Sequence, residues 1–234
     1  MHKIGKPLFW IELFIDSFGA CTTRNRSVTG VYVSFSNIQR RFKHCQRNVN
    51  TLMLVPHVSL CSAIERLRAD LIKLQKGVFF NEYEEEKVNK ILVKGLISCV
   101  VSDHPQACDI SRHLGVNANQ NCRLCWTNKA ERAKFSSIIL DHSQTRRRQQ
   151  TDIIVSNMRE SLSSKFSQTK QNQLQKECGI RIIDCPSQGV DFEPHIQCFS
   201  DIDHLIDLGL MEDLFEYINS LMGTKGVSVI QTRY

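Results

Sequence analysis

Two aspartates and one pair of cysteines are the residues in this chain whose types and spacing can do chemistry. Asp16 closes an apolar, aromatic-rich run, LFWIELFID at residues 8–16, and Asp103 follows a second apolar run at 96–101, in Ser102-Asp103-His104-Pro105. Carboxylates at neighbouring strand ends can hold two divalent cations roughly 3.5–4 Å apart, the arrangement used for in-line displacement at phosphorus. Mg²⁺ or Mn²⁺ suits such a site, because hard cations take oxygen ligands and keep waters. An aspartate after a strand also serves as a turn former or helix cap, so both roles stand for each residue.

Nineteen residues beyond Asp103 comes Cys122-Arg123-Leu124-Cys125. A CxxC loop can place two thiolates on one tetrahedral Zn²⁺. The chain holds no second CxxC, so further ligands must come from elsewhere, and the segment HIQCFSDIDH at 195–204 offers His195, Cys198 and His204. A redox pair or two core cysteines are the competing readings. Redox pairs typically open a helix that follows a strand, which this pair does not evidently do. Glu212, Asp213 and Glu216 are candidates for a third metal-binding acid, against the plain alternative of a polar helix face. Arg40, Arg41, Lys43 and Arg47, and the run Arg146-Arg147-Arg148, can contact phosphates and make binding salt-dependent, or can simply be solvated. The arginine triplet is also a weak nuclear-import pattern. Trp126, next to the cysteine loop, reads as the residue that buries it.

The elements that must position these groups follow from periodicity. Residues 8–16 read as a first strand. In VYVSFS, residues 31–36, Val31, Val33 and Phe35 alternate with Tyr32, Ser34 and Ser36, so this is a second strand. Residues 51–56, closed by Pro56, make a third. A helix follows to about Gln75, with Ser59 or Ser62 as its cap and Ile64, Leu67, Leu71 and Leu74 on one face. NEYEEEKVNK, residues 81–90, reads as a solvated loop or helix start, and residues 96–101 as a fourth strand. Residues 127–180 are polar and helical in character, 181–184 a short strand, 186–194 a loop, and 201–222 an amphipathic helix. Three strands, a helix and a strand returning beside the first is the ribonuclease-H-like order, in which the first and fourth strands are neighbours and their acids converge.

Composition sets the frame. The chain has 234 residues, 41% hydrophobic and 23% charged, enough for a real core and against general disorder. Net charge is +6, which fits an anionic partner such as nucleic acid. Its ten cysteines, with no signal peptide in view, read as reduced thiols in a protein that is not secreted. No apolar run approaches the roughly 20 residues that span a bilayer, so no membrane partner is expected.

The segments FIDSFGA, GVYVSF, LVP and KGLISCVVSDHPQACDISRHLG, with the loop NCRLCWTNKA, together resemble the central region of CACTA-type (En/Spm-like) DDE transposases, above all the divergent fungal-type copies. The resemblance covers about residues 8–135 and, more loosely, 195–220. It implies an α/β fold with a ribonuclease-H-like mixed-sheet core over 1–115, a mostly helical zinc-binding insertion over 116–200, and a C-terminal helix and tail over 201–234. It also implies catalytic roles for Asp16, Asp103 and Glu212, with Mg²⁺ or Mn²⁺ on Asp16 and Asp103. Structural Zn²⁺ would sit on Cys122, Cys125, Cys198 and His204. Cys198 stands where the family's H-x-x-D-x-x-H pattern has histidine, with Asp201 and His204 following. The implied partner is DNA at transposon ends, with a possible homo-oligomer and a nuclear location. Only fifteen residues precede Asp16, so a fragment or decayed copy is the expectation. A catalytically inactive remnant, or a domesticated DNA-binding or zinc-stabilised interaction protein, is the alternative.

Overall fold

In the computed structural model, mixed α/β architecture is built on a six-stranded mixed sheet. The structure describes residues 7–19, 27–43, 45–56, 60–84, 87–128, 130, 145–162, 168–201 and four positions near the C-terminus. Those four, Met211, Leu214, Tyr217 and Ser220, are helical. Residues 1–199 and 200–234 form two compact units.

Three antiparallel strands open the first unit: β1 (Leu8–Gly19), β2 (Ser27–Phe35) and β3 (Asn50–Pro56). A short α1 (Arg40–Lys43) lies between the last two. Helix α2 (Leu60–Lys76) then crosses to β4 (Val78–Glu84) and β5 (Lys87–Ser102). The strand order is β3-β2-β1-β5-β4, with β1 and β5 parallel and β4 and β5 antiparallel. A three-residue strand, β6 (Cys198–Ser200), also pairs with β5.

Alternation decides which face is covered. Ile11, Leu13 and Ile15 of β1 and Val31 and Val33 of β2 are buried against Ala63 and Ile64 of α2, with Leu67, Leu71 and Leu74 packed on them. The intervening residues of β1, Trp10, Phe14 and Phe18, stay exposed, with Glu12 and Asp16 on their face. That is the period-two pattern of a half-covered sheet.

The hairpin of β4 and β5 replaces the solvated loop expected over 81–90. Its register runs from Val78 opposite Val93 to Glu84 opposite Lys87. The acidic and basic residues of NEYEEEKVNK mask a β-compatible set, Val78, Phe79, Phe80, Tyr83, Val88 and Ile91, that pairs as strands with much of its surface exposed. The fourth expected strand is correspondingly longer, 16 residues instead of six.

After β5 come α3 (His104–Ile110), α4 (Arg148–Leu162), α5 (Gln168–Cys178) and the single turn α6 (Pro194–Gln197). The short strand expected at 181–184 is absent; instead Ile180 makes an isolated bridge with His113. Val155, Met158 and Ile180 are buried in a second, smaller cluster with Trp126, Leu174 and Ile182 around them. None of the helices among the described residues is long and apolar enough to cross a membrane.

Candidate acid pair and cysteine loop

A β-bulge brings the two aspartates level. Before it, Ile11 pairs with Ile97, an offset of 86 residues; after it, Glu12 pairs with Cys99, an offset of 87. The extra residue is Ser98, whose hydroxyl donates to the Ile11 carbonyl at 2.9 Å. The same insertion appears in burial, where the inward residues of β5 run Gly95, Ile97, Val100, Ser102. The last parallel pair is Ile15 with Ser102, so Asp16 and Asp103 each stand one step beyond it. Adjacent strands lie about 4.8 Å apart, which sets the scale of the separation between their backbones. Without the bulge, Asp16 would face Ser102 and Asp103 would face Ser17.

Each acid also has a local structural partner. Asp103, with φ −62° and ψ 164°, is the N-cap of α3, and its Oδ1 accepts from the Gln106 amide at 2.7 Å. The helix-cap role is therefore real for Asp103, and it occupies one of the two carboxylate oxygens. Asp16 Oδ1 accepts from the Ser17 amide at 2.8 Å.

Gln106, which the sequence did not mark out, ties the two strand ends together. In the amide orientation that satisfies both of its atoms, its nitrogen donates to the Ile15 carbonyl at 2.9 Å and its oxygen accepts from Ser17 Oγ at 3.0 Å. Ser17 Oγ in turn lies 2.9 Å from Thr29 Oγ1. Across from Asp16, in register, is Gly30. The Tyr32 ring fills the space over it, since a Cβ at Gly30 would lie 2.6 Å from Tyr32 Oη. Glu12, four residues back on β1, is committed to Lys43 at 2.5 Å and to the hydroxyls of Ser34 and Ser36. Glu212 and His204 lie outside the described residues.

The cysteine loop is built around Arg146. Its side chain is fully buried, and Nε donates to the carbonyls of Cys122 and Cys125, both at 3.0 Å. Its Nη atoms reach the carbonyls of Cys178 at 3.4 Å and Gln120 at 3.3 Å. The guanidinium lies 3.9 Å from the centroid of the Trp126 ring. This corrects the phosphate-contact expectation for Arg146, which is turned inward; Arg147 remains exposed. Burial lowers the Arg146 pKa to about 10, against the opposing pull of Cys122, Cys125 and Cys178.

The two thiols face each other and are unequal. Burial pushes the Cys122 thiol up, and its hydrogen bond to Cys125 adds to that. Burial also pushes Cys125 up, but the Thr127 hydroxyl and amide, Cys122 and Arg146 outweigh it, so Cys125 is the more acidic. A metal-ligating cysteine is a thiolate, and Cys125 is the nearer of the two to that form.

Of the other expected zinc ligands, Cys198 is among the described residues and is not gathered with this loop. Cys198 is buried in the main sheet core, its Sγ 3.8 Å from Ser102 Oγ, and burial pushes its thiol up. His195 Nδ1 lies 3.1 Å from the Arg123 carbonyl and Nε2 lies 3.0 Å from Thr151 Oγ1, so both ring nitrogens are engaged. Among the described residues, no group of three or more His, Cys, Asp or Glu side chains is gathered as for a metal ion. Cys122 and Cys125 thus fit half of a zinc site. Arg123, between them, is buried with no hydrogen-bond partner at Nε or Nη1.

Two neutral histidines brace this region and make it acid-sensitive. His113 accepts from the Gly115 amide at Nδ1, which leaves Nε2–H to donate to the Gln120 carbonyl at 2.9 Å. Burial, and then the charge of Arg146, lowers its pKa to about 4; burial lowers that of His195 to about 3. A lowered histidine pKa means that the unfolded chain binds the proton first. Stability is therefore complete above about pH 6.5 and falls as pH drops toward 4, by up to about 1.4 kcal/mol per pH unit for each histidine. Chemical denaturation at a series of pH values checks this. His113→Gln should flatten part of the slope, and a curve level from pH 7 to 4 would contradict it.

Comparison with protein-family models finds no match, and comparison with curated proteins finds none.

Proposed function

We propose that this chain is a transposase-derived DNA-binding protein, akin to CACTA-type DDE transposases, with a ribonuclease-H-like core and a zinc-binding helical insertion. On this reading Asp16 and Asp103 hold Mg²⁺ or Mn²⁺, with Glu212 as the third acid. The metals activate water and then a DNA 3′-hydroxyl for strand cleavage and transfer. Zn²⁺ on Cys122 and Cys125, completed by His204 and a further ligand, fixes the insertion. The partner is DNA at transposon ends, engaged by a homo-oligomer in the nucleus.

The observation that carries the reading is the bulge at Ser98, because it sets Asp16 and Asp103 level on parallel neighbouring strands. The same register also turns Val100 and Ser102 into the core. The capping bond itself favours a second reading, in which a remnant retains DNA binding and has lost cleavage.

Nicking of supercoiled plasmid separates the two. The first reading expects conversion to open circle that requires Mg²⁺ or Mn²⁺ and stops with chelator. Binding whose logarithm falls with log salt at about −0.9 per phosphate neutralised, without nicking, supports the remnant. Neither activity would overturn both.

A further inference from the structure

We infer that a cavity of about 270 Å³ between α4 and the 183–189 turn, with neither Asp16 nor Asp103 in its lining, is a binding site for a phosphate monoester, the 5′-phosphate of a nucleotide. Three arginines line it, Arg112, Arg148 and Arg159, with two aspartates, Asp152 and Asp184. Arg112 pairs with Asp152, and Arg159 pairs with Asp184 at 2.9 Å. Arg148 makes no ion pair among the described residues: its Nη1 donates to the carbonyls of Val190 at 2.7 Å and Phe192 at 2.9 Å. Those bonds orient the guanidinium without neutralising it, so the lining itself sets three arginines against two carboxylates; a third carboxylate, Glu193, lies outside the lining and accepts from the Arg148 backbone amide at 3.0 Å. A concave wall concentrates the field of its lining on an anion.

The backbone also sets Arg112 apart. Arg112 has φ 57°, just past the C-cap of α3. That left-handed position usually holds glycine or asparagine, and a longer side chain there is strained. Arg112 nevertheless stands there, its side chain 4% exposed and paired with Asp152 in the cavity wall. Its ion pair with Asp152 offsets that strain and holds the residue in the cavity wall.

The remaining walls select the ligand. Planar guanidinium forks match phosphate oxygens in pairs. Asp152 and Asp184 repel further phosphates, which disfavours a polyphosphate or a continuous strand and favours a single terminal phosphate. The same carboxylates can accept from sugar hydroxyls, and Val155 and Ile183 supply apolar surface for the rest of the nucleotide. The ligand comes either as a free nucleotide or as the 5′-phosphorylated end of a nucleic acid strand.

Calorimetric titration of the full chain tests this with adenosine 5′-monophosphate, adenosine, inorganic phosphate, and one oligonucleotide with and without its 5′-phosphate. The monophosphate should bind saturably, at least about tenfold tighter than adenosine, and inorganic phosphate should compete. Arg148→Ala and Arg112→Gly should each weaken it by about tenfold or more. Glycine suits the left-handed backbone, so R112G should stay folded, and Arg148→Lys covers a failure of R148A to fold. Preference for the 5′-phosphorylated oligonucleotide assigns the strand end, and binding of the monophosphate alone assigns a free nucleotide. The site does not depend on the proposed cleavage, so D103N should leave it unchanged. Equal affinity for adenosine, no saturable binding, or affinity unmoved by both R112G and R148K would overturn it.

Discussion

Asp103→Asn should abolish divalent-dependent nicking while leaving the protein as stable as the parent. Asparagine caps a helix about as well as aspartate, so the bond to the Gln106 amide survives and α3 keeps its start. What changes is the charge available to a cation. A metal site that loses one of its shared carboxylates should lose more than about a hundredfold in rate. Asp103→Ala supplies the contrast. It removes cap and ligand together, costing about 1 kcal/mol, or roughly 2–4 °C in Tm, in addition to the lost activity. If D103N nicks as well as the parent, Asp103 is a helix cap and nothing more. Asp16→Asn should match D103N in activity, because the two acids stand at one level of adjacent strands.

The largest stability effect belongs to Arg146→Met. Methionine preserves much of the volume against Trp126 but deletes donors that serve the carbonyls of Cys122, Cys125, Cys178 and Gln120. Buried carbonyls left without donors cost about 1–3 kcal/mol each at first, although the loop can relax toward water. A net loss of about 3–5 kcal/mol is expected, with the unfolding midpoint in urea as its measure. Lysine should not rescue it, since one ammonium cannot fork between separated carbonyls. If zinc binds Cys122 and Cys125, R146M should also weaken it by about tenfold or more, because the loop that aims the thiols is no longer held. A midpoint within experimental scatter of the parent would show that the carbonyls find other partners.

Much of the main sheet was legible in the residues. Alternation marks β2, the prolines and aromatic runs mark β1 and β3, and the spacing of Ile64, Leu67, Leu71 and Leu74 marks α2. Those features are local, and local pattern is what a sequence displays directly. The register of β5 was not legible. Its second half is apolar on both faces, so the run at 96–101 hides the phase change at Ser98, and only the pairing with β1 exposes it. Charge misled in two places. The acidic and basic residues at 81–90 read as solvated, yet they edge a hairpin. Arg146 reads as one of three surface arginines, yet it is the buried centre of the cysteine loop while Arg147 faces solvent. Composition cannot tell an arginine that meets phosphate from one that meets carbonyls. Gln106 carries no signal at all, because its task exists only once α3 lies beside the end of β1.

Anomalous diffraction from crystals of the full chain grown with Mn²⁺ tests the acid pair most directly. The expected result is a manganese peak roughly 2.1 Å from carboxylate oxygens of both Asp16 and Asp103, absent from D103N crystals. Carboxylates more than about 8 Å apart, with no manganese between them, would contradict a shared metal site and leave Asp103 as the cap of α3.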